Sequence, residues 1–211
     1  MPETVPTRRL RVLVLAGPDL ARTTGATGDA LAAALHAAGR GECTVEVRLE
    51  PCPPTDRLAE HVGERTDLGD IDVLVLATSD ALRTRSDGDL RTTFFDTVAA
   101  LMPVVRAADI RVLLSNDSTV VPRDRVLPQD PFSLDIARLN LAALELSVAT
   151  GLSVIDVDRL IAELGGGNHV GDALSYSATA RAAIVAEIVR VIEDYGFFDD
   201  RPLLDQIGRV S

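Results

Sequence analysis

Three residues of this sequence, Asp19, Asp172 and His169, are candidates for catalysis, because their side chains are of the types that catalysis uses. Asp19 follows the apolar run "LRVLVLAG", and Asp172 and His169 lie in the glycine-rich stretch "GGGNHVGDALSYS". Carboxylates and imidazoles are common general acids and bases, and imidazole titrates near neutral pH. The same residue types are also ordinary helix caps and surface residues, so the elements that position them decide what they can do.

Short apolar runs alternate with longer segments of helical period, which predicts a parallel sheet between layers of helices. The predicted strands are 10–17, 43–50, 72–80, 110–117 and 152–158. The predicted helices are 27–39 with Thr27 as a plausible N-cap, 56–65, 87–107, 133–150 and 177–195. Since connections between parallel strands are almost always right-handed, this order predicts a three-layer α/β/α sandwich with a five-stranded parallel sheet and flavodoxin-like topology.

Sheets of this kind bind ligands beyond the carboxyl ends of their strands. The segments that follow the predicted strands are therefore the candidate site: 17–20, 51–54, 77–80, 115–117 and 165–177.

The composition favours one globular domain and restricts its partners. The 211 residues are 46% hydrophobic and 25% charged, which predicts one domain over 10–195 with tails at 1–9 and 196–211. The net charge of −11 opposes binding to nucleic acid or to an anionic membrane, because both require a basic surface. We therefore expect a small-molecule ligand or a protein partner, while the oligomeric state is left open.

The two cysteines and the N-terminus predict a cytoplasmic protein. Cys43 and Cys52 are too few for a disulfide framework and have no zinc-site spacing, so we expect reduced thiols. The stretch "MPETVPTRRL" does not resemble a signal peptide, and no apolar run approaches the roughly 18 residues of a membrane span.

From about residue 10 to 193, the strand ends resemble those of the SGNH or GDSL hydrolases. In that family the first strand ends in Gly-Asp-Ser-Leu with a nucleophilic serine, the third ends in Gly-x-Asn-Asp, and a late loop carries Asp-x-x-His. In this chain "AGPDL" matches the glycine with Gly17 but places Asp19 at the nucleophile position. The segment "ATSDAL" places Ser79 and Asp80 where the family has Asn-Asp.

The late loop keeps the aspartate of the family pattern as Asp172, while Ser175 stands where the histidine would be. No glycine follows the second strand, where the family places an oxyanion donor. A carboxylate does not form an ordinary acyl-enzyme and a serine hydroxyl does not shuttle protons near neutral pH. The resemblance therefore implies the fold of the family without its serine esterase chemistry: a pseudoenzyme that binds a small molecule or a partner, or serves as a scaffold, with no cofactor or metal.

An enzymatic alternative stays open. The resemblance implies that Asp19 and Asp172 lie at the mouth of one pocket, where a carboxylate pair could act on an acyl or glycosyl substrate, with His169 as a displaced base. The competing interpretation is that both aspartates are caps, with Asp172 capping the last helix, and that His169 is a surface residue.

Overall fold

The computed structural model describes residues 8–16, 24–40, 42–54, 57–77, 89–120, 131–171 and 175–198. The strands are β1 (Arg8–Ala16), β2 (Cys43–Pro51), β3 (Val73–Ala77), β4 (Arg111–Ser115) and β5 (Ser153–Ile155). The helices are α1 (Thr24–Ala38), α2 (Leu58–Gly63), α3 (Leu90–Ala107), α4 (Pro131–Thr150), α5 (Val157–Glu163) and α6 (Ala178–Asp194).

The strands form one parallel sheet in the order β2-β1-β3-β4-β5. The central position of β1 is visible in its register, since Val12 is paired with Val47 of β2 and with Val73 of β3. The predicted five-stranded parallel sheet and flavodoxin-like order are confirmed. The strand order reverses at β1, so the carboxyl edge near β1 and β3 is where such sheets bind ligands.

Strand β1 separates the two halves of the core, because successive side chains of a strand point to opposite faces. Val12 and Val14 pack in a cluster with residues of α1 and α6, such as Leu35 and Ile188. Leu13 and Leu15 pack in the other cluster, with residues of α2, α3 and α4. Helices therefore cover both faces of the sheet, as the continuous apolar runs predict.

Several predicted boundaries differ from the observed ones, and two of the differences lie at a helix start. Thr27 is buried within α1, which begins at Thr24, so Thr27 is not an N-cap. The last strand ends at Ile155 rather than at 158, because the side chain of Asp156 accepts a hydrogen bond from the Arg159 amide and caps α5. Aspartate is favoured at an N-cap and disfavoured within a strand.

Several smaller features bear on the sequence predictions. Cys43 and Cys52 are free thiols. Phe197 and Phe198 follow α6 and pack against the core cluster that contains α1 and α6, so these paired aromatics are covered by their own domain. Within the described part of the chain, no helix combines the length and apolar character needed to cross a membrane.

Candidate active-site region at the carboxyl edge of the sheet

Three buried polar residues, Asn116, Asp117 and Ser118, follow β4 directly. The amide of Asn116 donates to the carbonyl of Ile155 at 3.2 Å, which extends the pairing of β4 with β5 by one bond. A buried polar group is costly unless it is hydrogen-bonded, so the conformation of this segment depends on its partners.

Helix α5 supplies the first set of partners. Asn116 donates its side-chain amide to Asp156 at 2.9 Å and accepts from the backbone amide of Asp158 at 3.2 Å. The carboxylate of Asp158 accepts from both the backbone amide and the hydroxyl of Thr119, at 2.7 and 2.8 Å. The loop after β4 is thereby fixed to the N-terminus of α5.

Helix α4 supplies a second anchor through Asn140. Its side-chain oxygen accepts from the amide of Asp117 at 3.2 Å, and its side-chain nitrogen donates to the Asp117 carbonyl at 2.6 Å. The buried side chain of Asn140 thus bonds to both the N–H and the C=O of Asp117. A neighbouring strand would make the same two bonds, but Asp117 lies outside any strand.

Tyr176 connects the loop after β4 to the segment before α6. Its hydroxyl accepts from the amide of Ser118 at 3.2 Å and donates to the carboxylate of Asp117 at 3.3 Å. Burial raises the pKa of the Tyr176 phenol well above its ordinary value, and the nearby Asp117 carboxylate raises it further. The phenol is therefore neutral at physiological pH and available as a hydrogen-bond donor.

The segment 169–177 forms a tight connection at the same edge. Val170 and Tyr176 form an isolated antiparallel bridge, and the amide of Gly171 donates to the carbonyl of Ser175 at 2.7 Å. The hydroxyl of half-buried Ser175 lies against Gly171, in the space that a β-carbon at position 171 would need. Glycine at position 171 therefore leaves room for the side chain at 175.

His169 is held at the start of α6. Its Nδ1 atom is 2.9 Å from the hydroxyl of Ser177, and its carbonyl accepts from the Ser177 amide at 3.0 Å. Ser177 is the N-cap of α6, since its side chain accepts from the amide of Ala180. Ser177 therefore occupies the N-cap position of α6, while Asp172 lies outside the described residues.

Of the predicted site residues, Ser175 and His169 lie in this region of the sheet edge. Gly17, Asp19, Ser79, Asp80 and Asp172 lie outside the described residues, so their pairing stays a prediction. Among the described residues, no group of three or more His, Cys, Asp or Glu side chains is arranged to hold a metal ion.

The hydrogen-bonded partners of the β4 loop were not identified from the sequence. The segment 115–117 was selected as a strand end, but Asn140, Asp158 and Tyr176 were not connected with it. One signal was present: the polar run "SNDST" directly after a buried strand must find hydrogen-bond partners from other elements.

The fold resembles solved structures of lipases and esterases. A lipase/acylhydrolase from Enterococcus faecalis matches with a TM-score of 0.68 and 17% identity, over 88% of this chain and 96% of that chain. An acetyl xylan esterase matches with a TM-score of 0.65 and 11% identity, over 87% of this chain and 100% of that chain. A GDSL-like lipase from Bacteroides thetaiotaomicron matches with a TM-score of 0.59 and 12% identity, over 92% and 93% of the two chains.

No protein-family model matches the sequence, and no curated protein matches it. The likeness to the solved structures extends over most of each chain at identities of 11 to 17%, which makes it a likeness of fold. Together with the parallel sheet and its strand order, it establishes that this chain has the fold of the SGNH/GDSL hydrolases, as its strand ends predict.

Proposed function

We propose that this protein is a non-hydrolytic protein of the SGNH fold, which binds a small molecule or a protein partner, or acts as a scaffold, at the carboxyl edge of the sheet. The observation that carries the proposal is Ser175, which stands at the position of the family's histidine. Its side chain is half-buried against Gly171, in the connection that leads to α6. A serine hydroxyl cannot exchange a proton near neutral pH as an imidazole does.

The sequence supports the same proposal at the nucleophile position. Asp19 replaces the serine there, and no glycine follows β2 in "EPCPPTDR". A nucleophile and its base act as a unit, and loss of one of them alone costs several orders of magnitude in rate. A chain that differs at both positions is expected to have no ordinary serine esterase activity.

The hydrogen bonds at the sheet edge also favour a structural or binding role. Asp117 and Tyr176 bond to each other, and the amide of Ser118 is occupied by the Tyr176 hydroxyl. Groups that hold a loop in this way are not available as proton acceptors or oxyanion donors without breaking the network.

The net charge supports the proposed class of partner, and the thiols support the proposed compartment. A net charge of −11 opposes nucleic-acid and anionic-membrane partners, so a small molecule or a protein is the proposed partner. The two free thiols, Cys43 and Cys52, support a reducing compartment, and we propose the cytoplasm.

A specific observation favours a second candidate function, a diverged hydrolase or acyltransferase in which His169 is the base. Ser177 holds Nδ1 of His169 and thereby orients the ring, and no described residue forms a hydrogen bond with its Nε2 atom. An imidazole oriented through one nitrogen can use the other for proton transfer. Asp19 and Asp172 would then carry the remaining chemistry on an acyl or glycosyl substrate, and one structural neighbour is an acetyl xylan esterase.

Hydrolysis assays distinguish the two functions. Purified protein is incubated with p-nitrophenyl acetate and with acetylated xylo-oligosaccharides, and the release of p-nitrophenol and acetate is measured. The non-hydrolytic proposal predicts rates equal to those of His169→Ala. His61→Ala is the matched control, because His61 is an exposed histidine on α2 and imidazoles hydrolyse activated esters weakly without a site.

A wild-type rate that exceeds the His169→Ala rate by about 100-fold, with His61→Ala unchanged, would overturn the non-hydrolytic proposal and support the diverged enzyme. Equal rates for all three proteins would exclude His169 as a catalytic base.

A further inference from the structure

Helix α4 has an apolar row on its outer surface. The large hydrophobic side chains exposed among the described residues all lie on this helix: Leu134 at 52% exposure, Leu141 at 57%, Leu144 at 48% and Val148 at 89%. Its opposite face is buried in the core through residues such as Leu139 and Leu146. A helix that is apolar all round is typical of one packed between two partners, and the sheet covers only one side of α4.

The exposed row has the spacing of a coiled-coil seam. Leu134, Leu141 and Val148 recur every seven residues, and the exposed Ala137 and Leu144 occupy the intervening positions. Alternating steps of three and four residues place all five side chains along one line of the helix, as positions a and d of a heptad do. The exposed row therefore fits a second helix better than it fits a flat surface.

Two opposite charges flank this row on the same side. Arg138 and Glu145 are seven residues apart and both occupy position e of the heptad. In an antiparallel pair of α4 helices centred between Leu141 and Leu144, Arg138 of each copy lies beside Glu145 of the other. In a parallel pair, position e instead faces position g, where Asn140 is buried against the loop after β4 and Ser147 is uncharged.

The side chains that meet in the antiparallel pair are complementary in size. Leu141 packs against Leu144 of the second copy, and the branched Val148 packs against the small Ala137. Every contact occurs twice, which is the property of an interface with two-fold symmetry. The occupant that both the apolar spacing and the charges fit is thus a second copy of this chain.

The neighbouring helix extends the surface. A stable interface buries about 800 Å² on each partner, which is more than one row of side chains provides. On α3, Arg91 pairs with Glu145 at 2.8 Å and lies 5.0 Å above the ring of Phe95. Arg91, Glu145 and Phe95 therefore lie beside the row and give it a charged and aromatic border, as is usual at interfaces.

We propose that this protein forms a two-fold symmetric homodimer through α4, with the two helices antiparallel and the row Leu134, Ala137, Leu141, Leu144 and Val148 at its centre. The proposal is independent of whether the sheet edge binds a ligand or catalyses a reaction.

The first test is the mass of the full chain in solution, measured by light scattering over a range of concentrations. The wild-type protein is expected to have the mass of two chains, and Leu141→Glu the mass of one chain with unchanged secondary structure and a thermal midpoint that no longer depends on protein concentration. Ala182→Glu is the matched control, because it introduces the same charge at an exposed position on α6, on the other side of the sheet, and should leave the dimer intact.

The second test addresses the antiparallel direction. Arg138→Glu places two carboxylates together in each symmetric pair and should weaken dimerisation by about tenfold, since like charges across an interface are unfavourable. The double variant R138E/E145R restores opposite charges and should recover most of the loss.

A wild-type monomer at all concentrations, or a dimer that Leu141→Glu does not dissociate, would overturn the proposal. If the wild type is a monomer and Leu141→Glu lowers its thermal midpoint, another part of the same chain covers the row instead. A dimer lost in Arg138→Glu and not recovered in the double variant would exclude the antiparallel arrangement.

Discussion

Tyr176 is the residue that joins the loop after β4 to the start of α6. Its hydroxyl makes two hydrogen bonds to residues 58 and 59 positions away in the chain, Ser118 and Asp117. Both partners are buried, so neither can bond to bulk water when the hydroxyl is removed. The hydroxyl therefore contributes to stability mainly by satisfying the buried amide of Ser118 and by donating to the carboxylate of Asp117.

We expect Tyr176→Phe to lower the free energy of unfolding by about 1–3 kcal/mol, because the ring is retained while the buried partners lose a hydrogen bond. Urea denaturation measures this difference. Tyr195→Phe is the matched control, since Tyr195 is partly exposed and packs edge-to-face on Phe197; its change should stay within about 0.5 kcal/mol. Equal stability of Tyr176→Phe and wild type would contradict the role of the hydroxyl.

The dependence of stability on alkaline pH tests the same residue, because the Tyr176 phenol can lose its proton in that range. Burial raises the pKa of Tyr176 above its ordinary value of 10 and that of Cys43 above its ordinary value of 9.0, so the folded state keeps protons that the unfolded chain releases. The stability from these two groups is complete below about pH 8 and is lost as the pH rises through the ordinary pKa values of 9.0 and 10. The chain contains no lysine, so fewer other groups titrate in this range.

We therefore expect the free energy of unfolding to fall between about pH 8 and 11, with a shallower fall above pH 10 in Tyr176→Phe. Urea titrations at each pH measure the slope. An identical slope in Tyr176→Phe would show that this phenol does not contribute.

The residue types at the sheet edge were predictable, but their bonding was not. Ser175 was identified from its place in a pattern, and its equivalence to the family's histidine stays a prediction. The bonds of Asn140 and Tyr176 to the loop after β4 join residues 23 to 59 positions apart, and no local sequence rule connects such residues. Only the layering of α4 and α6 around the sheet brings them together.

At the scale of elements, helix α6 depends on a single capping side chain. Ser177 accepts a hydrogen bond from the amide of Ala180 and also contacts His169 at 2.9 Å. The cap thus fixes both the first turn of the helix and the histidine before it. The sequence predicted a helix start at 177, one residue from the observed start at Ala178, because the segment changes there from polar to small and apolar residues.

We expect Ser177→Ala to lower the free energy of unfolding by about 1 kcal/mol, through the loss of one capping bond. Thr179→Ala is the matched control, because Thr179 is exposed in the same first turn and alanine favours a helix interior. Chemical denaturation compares the two variants. If Thr179→Ala lowers the free energy of unfolding as much as Ser177→Ala does, the effect comes from any alanine substitution in this turn and not from the cap.

Strands β1, β3 and β4 were predicted well because they are largely buried and read as continuous apolar runs. Their ends were predicted less well, since local hydrogen bonds determine where a strand stops. Asp156 terminates β5 by capping α5. Thr27 was predicted to precede α1 as its cap, but it is a buried residue inside that helix.

At the scale of the whole molecule, the chain has the fold of the SGNH/GDSL hydrolases, and we propose that the carboxyl edge of its sheet binds without esterase chemistry. The five-stranded order was predictable from the alternation of runs, and the likeness to lipases and esterases confirms the fold. The predicted meeting of Asp19 and Asp172 is untested, because both lie outside the described residues. The central claim is therefore chemical: the chain has no activated serine.

Labelling with a fluorophosphonate probe tests this claim most directly, because the probe reacts covalently with activated serines and with few other hydroxyls. Intact-mass spectrometry of the purified protein after incubation with the probe gives the extent of labelling, and an active serine esterase treated in parallel confirms that the probe is reactive. We predict no mass increase, since the family resemblance implies that Asp19 takes the nucleophile position and Ser175 the position of the base. Stoichiometric labelling of one serine, at Ser79, Ser175 or elsewhere, would contradict the account and would show that the nucleophile has been relocated rather than lost.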